Sequence, residues 1–292
     1  MPKVAYLGPE NTNTHIAARE KFGEGAIYVH TPTIDDVFHL VERQEVNYGV
    51  VPVENSLEGA VTHTLDRFAV LIHTPVRIEG EIELPIQHNL IVRKGAKLSD
   101  IKIVFSHPQA LAQCSHWLHT HVPRLSVTVG TTSTSEAVEK MLSPHQEWPS
   151  GLGRTGDSEK ISQQQRAAIA RTELAKARGL RAIPIPESRE NKTRFLILSL
   201  LDPARGQRNK TAILLGLKDR PGALHDALVP FKQHHINLTK IESRPSKRKA
   251  WEYLFFIDFK GHESEPRVQR ALNALERSTS LLRILGSYPV AK

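Results

Sequence analysis

Cysteine is nearly missing from this sequence: Cys114 stands alone among 292 residues. That excludes an internal disulfide framework and a cysteine-based zinc site, and it suits a reducing, cytoplasmic setting. No apolar run approaches the roughly 18 residues of a membrane-spanning helix. The Met-Pro-Lys start leads straight into an apolar strand at Val4, without a signal-peptide layout. Gly-x-Gly-x-x-Gly, the Walker loop and His-Glu-x-x-His are all missing, which removes the common nucleotide and zinc-protease signatures. Of the 15 histidines, His116, His119 and His121 are the most closely spaced. They have no Asp or Glu nearby and read as a polar helix face, so no metal is expected. Lys and Arg total 39 against 31 acidic residues, for a net charge of +8. The only dense basic run, 244–249, is broken by Pro245 and Ser246 and falls where a hairpin turns. It reads as a solvated loop, so neither a nucleic-acid partner nor a membrane is expected. A diffuse positive field suits an anionic small molecule.

What is present is ordinary globular composition, 39% hydrophobic and 24% charged, at a length that suggests two domains. Through the first 200 residues, short β-rich runs (4–7, 27–30, 48–53, 103–105, 125–129, 167–170, 195–201) alternate with helical patterns. That grammar predicts βαβ units around a mainly parallel sheet. Residues 143–165, rich in Ser, Pro, Gly and Gln, predict an exposed loop. Residues 203–210 carry Pro, Gly and charge but no large apolar side chain, and predict a linker between domains 1–202 and 211–292. The last 80 residues read strand, helix, strand, strand, helix, strand, the βαββαβ ferredoxin-like order.

Polar clusters stand at strand ends, where open α/β sheets bind ligands. They are 8–15 (Gly-Pro-Glu-Asn-Thr-Asn-Thr-His), 52–59 (Pro-Val-Glu-Asn-Ser-Leu-Glu-Gly), 106–114 (Ser-His-Pro-Gln-Ala-Leu-Ala-Gln-Cys) and 191–195 (Asn-Lys-Thr-Arg-Phe). One such cluster would mean helix capping; four suggest a cleft lined with hydroxyls and amides. In the last domain, the Pro221-Gly222 turn offers backbone N–H groups at a helix start, suited to a carboxylate.

The last domain resembles an ACT domain, the amino-acid-sensing module. Gly222, Ala223 and Leu224, together with Glu242, Ser243, Arg244 and Pro245, resemble its phenylalanine-binding version. Over nearly the whole chain, Tyr-Leu-Gly-Pro-Glu (6–10), Val-Pro-Val-Glu-Asn-Ser-Leu-Glu-Gly (51–59), residues 106–114 and Lys-Thr-Arg-Phe (192–195) resemble prephenate dehydratase. The resemblance implies a two-lobed, periplasmic-binding-protein-like α/β catalytic domain followed by the ACT domain. It implies decarboxylative dehydration of prephenate to phenylpyruvate without a cofactor, because aromatisation of the ring supplies the driving force. Thr193 would give a proton or strong hydrogen bond to the leaving hydroxyl, sharpened by the adjacent Arg194 cation. Asn55, Ser106 and Gln113, with Glu54 and Gln109, would contact substrate; Arg194 and backbone N–H groups near Ser106 would receive its carboxylates. L-Phenylalanine would bind as effector through Gly222, Ala223, Leu224, Asn237, Leu238, Glu242, Ser243 and Arg244, in a homodimer or homotetramer. No chorismate mutase helices precede Val4, which predicts a monofunctional enzyme.

Three departures from the family pattern bear on the substrate. Asn11 and Asn13 replace a Gly and a Phe, making that loop more polar and less permissive of positive φ. Glu190 adds a carboxylate beside the Asn-Lys-Thr-Arg-Phe motif. Two other readings stay open: an arogenate dehydratase, whose substrate ammonium Glu190 could pair, and a non-catalytic sensor closing on an aromatic ligand.

Overall fold

The computed structural model describes residues 1–125, 127–144, 161–186, 191–203, 205–247 and 251–291. Most of the expected loop (145–160), Glu190, and Arg248 and Lys249 of the basic run lie outside the described residues. The chain forms two compact units, one of Met1–Gly8, Thr14–Leu84 and Thr193–Lys292, the other of Pro9–Asn13 and Pro85–Lys192.

The first unit opens with β1 (Lys3–Leu7), α1 (Asn13–Phe22), β2 (Ile27–Thr31), α2 (Ile34–Glu42), β3 (Tyr48–Asn55), β4 (Gly59–Ala60), α3 (Thr62–Val70) and β5 (Arg77–Pro85). The second unit holds β6 (Asn89–Val92), β7 (Ile103–Ser106), α4 (Pro108–Gln113), α5 (Ser115–His121), β8 (Val127–Gly130), α6 (Thr134–Leu142), β9 (Arg166–Ala170), α7 (Thr172–Ala177) and β10 (Arg181–Pro184). Then β11 (Lys192–Ser199) is followed by β12 (Asn209–Leu217), α8 (Ala223–Gln233), β13 (Leu238–Pro245), β14 (Tyr253–Lys260), α9 (Pro266–Ser278) and β15 (Thr279–Pro289).

In the first unit the sheet order is β2-β1-β3-β11-β5. Helices α1 and α2 are right-sized crossovers, and β1 accordingly runs parallel to β2 and β3. The sheet is nevertheless mixed rather than mainly parallel. Strand β11 arrives after the whole excursion through the second unit instead of a crossover helix, and it pairs antiparallel with β3. Helix α2 shows how locally these elements are written. Thr33 caps it by accepting from the Asp36 N–H at 3.1 Å. Asp35 and Asp36 occupy its positive first turn, and Ile34, Val37, Phe38 and Val41 form the buried stripe.

The second unit's sheet has the order β10-β6-β9-β7-β8. Its central strands β7 and β9 are parallel and buried on both faces. Val104 and Ile169 join Trp117 on one side, while Phe105 and Ala168 join Met141 on the other. Strand β6 pairs antiparallel with β9 and β10, so this sheet too is mixed.

The C-terminal module is an antiparallel sheet of order β13-β14-β12-β15 with α8 and α9. Strand β12 has no polar face. Ile213 and Leu215 pack beneath the helices with Phe231, Phe259 and Leu275. Ala212 and Leu214 turn the other way and, with Phe256, Leu285 and Tyr288, share a core with Val53, Phe68, Ile78 and Leu196. The module is therefore not set apart on a slack tether. Asn209 and Lys210, expected at the end of a linker, already belong to β12. Asn209 closes a turn on Gly206 with bonds of 2.8 and 2.9 Å. Arg77 pairs with Asp202 and, at 3.0 Å, with Glu263. Arg283 donates to the carbonyls of Leu71, Thr74 and Val76 at 2.6, 2.7 and 3.1 Å.

Strand β15 approaches β5 so closely that a Cβ at Gly286 would lie 2.1 Å from the Ile78 carbonyl oxygen. Gly286→Ala is expected to force the two strands apart and cost roughly 1–3 kcal/mol or more. Gly25→Ala, where a Cβ meets nothing within 4 Å, is the control. Thermal denaturation should separate the two variants clearly; equal midpoints would mean that the contact at Gly286 does not hold in solution.

Candidate functional site

Strands β3 and β11 bring four of the expected residues together. Their register pairs Thr193 with Asn55 and Arg194 with Glu54. Successive side chains on a strand point to opposite faces, so Thr193 and Asn55 share one face and Arg194 and Glu54 the other. On the first face, the Asn55 amide nitrogen donates to Thr193 Oγ1 at 3.0 Å. The amide cannot be turned around, because its oxygen accepts from the backbone N–H groups of Leu57 and Glu58 at 3.0 and 3.2 Å. Thr193 Oγ1 is thereby an acceptor, and its own hydrogen is left to donate elsewhere. An oxygen that accepts a hydrogen bond donates more strongly in turn.

The opposite face is a network of buried charge. Arg194 donates to Glu81 at 2.9 Å and to Asp258 on β14 at 2.7 Å. Glu54 stands 2.7 Å from its Nε, an ion-pair approach without hydrogen-bond alignment. Lys210 on β12 donates to both oxygens of Glu81 at 2.8 and 2.9 Å, and Lys240 on β13 to Glu54 at 2.5 Å. Burial alone would lower the pKa of Arg194, but Asp258, Tyr288, Glu54 and Glu81 reverse this and keep it charged. Burial pulls the Glu54 carboxyl up, and Arg194 and Lys240 outweigh it, holding the group below its ordinary value. This corrects the expectation that Arg194 receives a substrate carboxylate and sharpens Thr193 as a bare cation. A buried guanidinium needs counter-charges, and Arg194 has three.

In the second unit Ser106 ends β7 fully buried, its hydroxyl donating to the Ile169 carbonyl at 2.8 Å. Gln109 lies in the first turn of α4 with its N–H donating to the His107 imidazole at 3.3 Å. The Gln113 carbonyl oxygen accepts from Asn191 at 2.9 Å, and His88 Nε2 lies 2.8 Å from the same oxygen. With Asn191 fixing that oxygen as an acceptor, His88 is the Nε2–H tautomer. Burial lowers its pKa against the bond to Gln113, and Arg171 adds to the lowering, so it is neutral at pH 7. His88 escaped the sequence reading because a lone His between two strands carries no spacing signal. The departures also find places. Asn11 itself adopts φ +62°, which Asn tolerates better than other non-glycine residues, and Asn13 accepts from Arg171 at 3.3 Å.

In the C-terminal module Gly222 caps α8 at φ +77°. Gly222, Ala223 and Leu224 line an open cavity of about 560 Å³ together with Trp251, Tyr253 and Phe255. Those aromatics were not expected. The other effector candidates lie apart from this cavity on or beside β13. The Asn237 carbonyl accepts from the Lys260 N–H at 2.9 Å. Leu238 joins the helix-side core. Glu242 and Ser243 pair in register with Phe256 and Phe255. Arg244 is tied to Asp66 at 3.0 and 3.4 Å. Among the described residues no group of three or more His, Cys, Asp or Glu could hold a metal ion, and no helix is long and apolar enough to cross a membrane.

A family model for prephenate dehydratase matches residues 4–202, and one for the ACT domain matches residues 211–277. The chain belongs to the prephenate dehydratase family. A bifunctional chorismate mutase/prephenate dehydratase of Aquifex aeolicus is 44% identical over 99% of this chain and 74% of its own length. Its counterpart in Pseudomonas aeruginosa is 42% identical over 99% of this chain and 73% of its own. The crystal structure of a prephenate dehydratase from Arthrobacter aurescens in complex with L-Phe superposes with a TM-score of 0.83 at 32% identity, covering 99% of this chain and 90% of that one.

Within this family member, Glu81 is the fully buried carboxylate shared by Arg194 and Lys210. Glu81→Gln should leave both cations short of charge and cost about 3–5 kcal/mol. Urea denaturation measures it; an unmoved midpoint would show that the two cations do not depend on Glu81.

Proposed function

We propose that the chain is a prephenate dehydratase that converts prephenate to phenylpyruvate under regulation by L-phenylalanine. The observation that carries the chemistry is the Asn55–Thr193 hydrogen bond, which leaves the threonine hydroxyl as an oriented donor. In the reaction the ring hydroxyl departs with its bonding pair and takes up a proton to become water. The ring carboxylate departs as carbon dioxide, and the electron pair of its C–C bond completes the aromatic ring. Prephenate dianion and one proton thus give phenylpyruvate anion, carbon dioxide and water, with no net oxidation. The barrier lies in expelling hydroxide, and a hydrogen bond or proton from Thr193 at that oxygen lowers it. Asn55 replaces the Arg194 charge as the group that sharpens the donor. In the second unit, the neutral His88 and Asn191 orient Gln113, which we assign with Gln109 and the backbone N–H groups beside the buried Ser106 to the substrate's polar groups.

Effector binding is assigned to the Gly222–Leu224 turn, whose positive-φ glycine opens helix α8. Trp251, Tyr253 and Phe255 on the cavity wall offer the apolar surface an aromatic ring requires. Asn237, Leu238, Glu242 and Ser243 complete the assignment, and Arg244, held by Asp66, organises β13 rather than meeting the ligand. We assign the protein to the cytoplasm as a homodimer or homotetramer, which suits the buried Cys114 thiol and, among the described residues, the place of β13 at the edge of its sheet.

Two experiments test this reading. Thr193→Ala should fold normally and turn prephenate over roughly 10²–10⁴-fold more slowly, while Thr193→Ser keeps most of the rate. Phenylpyruvate absorbance reads both, and full activity in the alanine variant would remove Thr193 from the mechanism. Gly222→Val places a β-branched residue at φ +77° and should weaken L-phenylalanine binding by about tenfold or more. Calorimetric titration decides it; unchanged affinity would place the effector elsewhere.

A further inference from the structure

The buried charge network lies directly behind the proposed donor. Arg194 follows Thr193 in the chain and Glu54 precedes Asn55, so each member of the donor pair is one peptide unit from a member of the network. Because a peptide unit is planar and its Cα atoms are held 3.8 Å apart, moving Arg194 moves Thr193. At this end of β11 the register with β3 slips between Arg194 and Phe195, a bulge that sets the Thr193–Asn55 and Arg194–Glu54 pairs off from the regular ladder beyond. Side chains reinforce these pairs, and two come from the C-terminal module: Asp258 holds Arg194, and Lys240 holds Glu54. The network has three cations (Arg194, Lys210, Lys240) and three anions (Glu54, Glu81, Asp258). Side-chain exposure is 0% for Glu81, 6% for Arg194 and 10% for both Asp258 and Lys240. Glu54, at 34%, faces water in part, but Glu81, Arg194, Asp258 and Lys240 cannot leave their partners without stranding a charge, and the arrangement is stiff for that reason.

We propose that Lys240 and Asp258 are positioning residues for the dehydration step: from the C-terminal module they fix the strand ends that aim Thr193 and Asn55 at the leaving hydroxyl. The proposal rests on the reading that Thr193 is the donor. Strand β14 also carries Tyr253 and Phe255, which line the cavity assigned to the effector, so one strand bears both the cavity wall and Asp258.

The test uses the full chain with Lys240→Met, Lys240→Arg and Asp258→Asn, and with Lys240→Met in a Thr193→Ala background. Phenylpyruvate formation is followed and folding checked by circular dichroism. Lys240→Gln replaces the methionine variant if that one does not fold. Lys240→Met and Asp258→Asn should lower kcat about tenfold or more with KM moved less than about twofold, as a misaimed donor requires. Lys240→Arg should restore kcat to within about threefold of the parent chain, since a cation again reaches Glu54. In the Thr193→Ala background, Lys240→Met should cost less than about twofold, because there is no hydroxyl left to aim. An unchanged kcat in Lys240→Met overturns the positioning role. So does an equal loss in both backgrounds, or a failure of Lys240→Arg to restore the rate. A Thr193→Ala chain with full turnover overturns the donor reading and this proposal together, whereas an impaired one with additive losses overturns this proposal alone.

Discussion

The burial of Arg194 is the constraint from which much of the first unit follows. A guanidinium taken out of water costs several kcal/mol unless its charge is matched. The matching groups come from three strands: Glu54 on β3, Glu81 on β5 and Asp258 on β14. Two of those strands belong to the N-terminal sheet and one to the C-terminal module. Satisfying one side chain therefore dictates that the two sheets be stacked, and the apolar contacts of Ile78, Leu196, Ala212, Phe256 and Leu285 seal water out around it. Hydrophobic burial supplies most of the attraction in such a contact but is indifferent to register. The charge network is not indifferent, because a shift of one residue along any strand would put a carboxylate on the wrong face.

The same argument explains why the fold of the C-terminal module is legible in the sequence while its packing against the N-terminal sheet is not. Its element order is local information: the Pro-Gly start of α8, the Pro266 start of α9 and the β-rich runs between them all act within a few residues. What those strands face is not local. The run Thr-Ala-Ile-Leu-Leu-Gly-Leu at 211–217 does contain the signal, since a strand with one open face alternates apolar with polar, and this one does not. Composition draws attention to the charged stretch at 203–210, where Asn209 closes a tight turn on Gly206 and Lys210 pairs with Glu81.

At the site, legibility divides in the same way. Thr193 and Asn55 stand out in the sequence because motifs at strand ends are contiguous, and the β3–β11 register brings the two side chains together. Arg194 was assigned the wrong partner because its residue type says only that it wants an anion. Whether that anion is a substrate or a buried Glu81, 113 residues away in sequence, is a tertiary fact. His88 and the aromatic wall of Trp251, Tyr253 and Phe255 were invisible for a related reason: none carries a spacing pattern, and each acquires meaning only from what the fold sets against it.

The Asn55–Thr193 pair also bears on how so weak an acid as threonine would serve in the proposed step. A free hydroxyl would rotate, and its donation would be spread over several directions. Here the turn after β3 places two backbone N–H groups on the Asn55 oxygen, which fixes the orientation of the amide, and one of its N–H groups donates to Thr193 Oγ1. The hydroxyl is then restricted by a bond it accepts rather than one it gives, so its proton is not consumed in holding it still. Orientation of this kind is settled before substrate arrives and costs no reorganisation during the reaction. In the proposed mechanism the demand on the donor is correspondingly modest, because aromatisation would drive the step and the hydroxyl would need only to stabilise negative charge on the departing oxygen. What the fold contributes is aim, and aim depends on β3 and β11 keeping their register at the one place where the ladder slips.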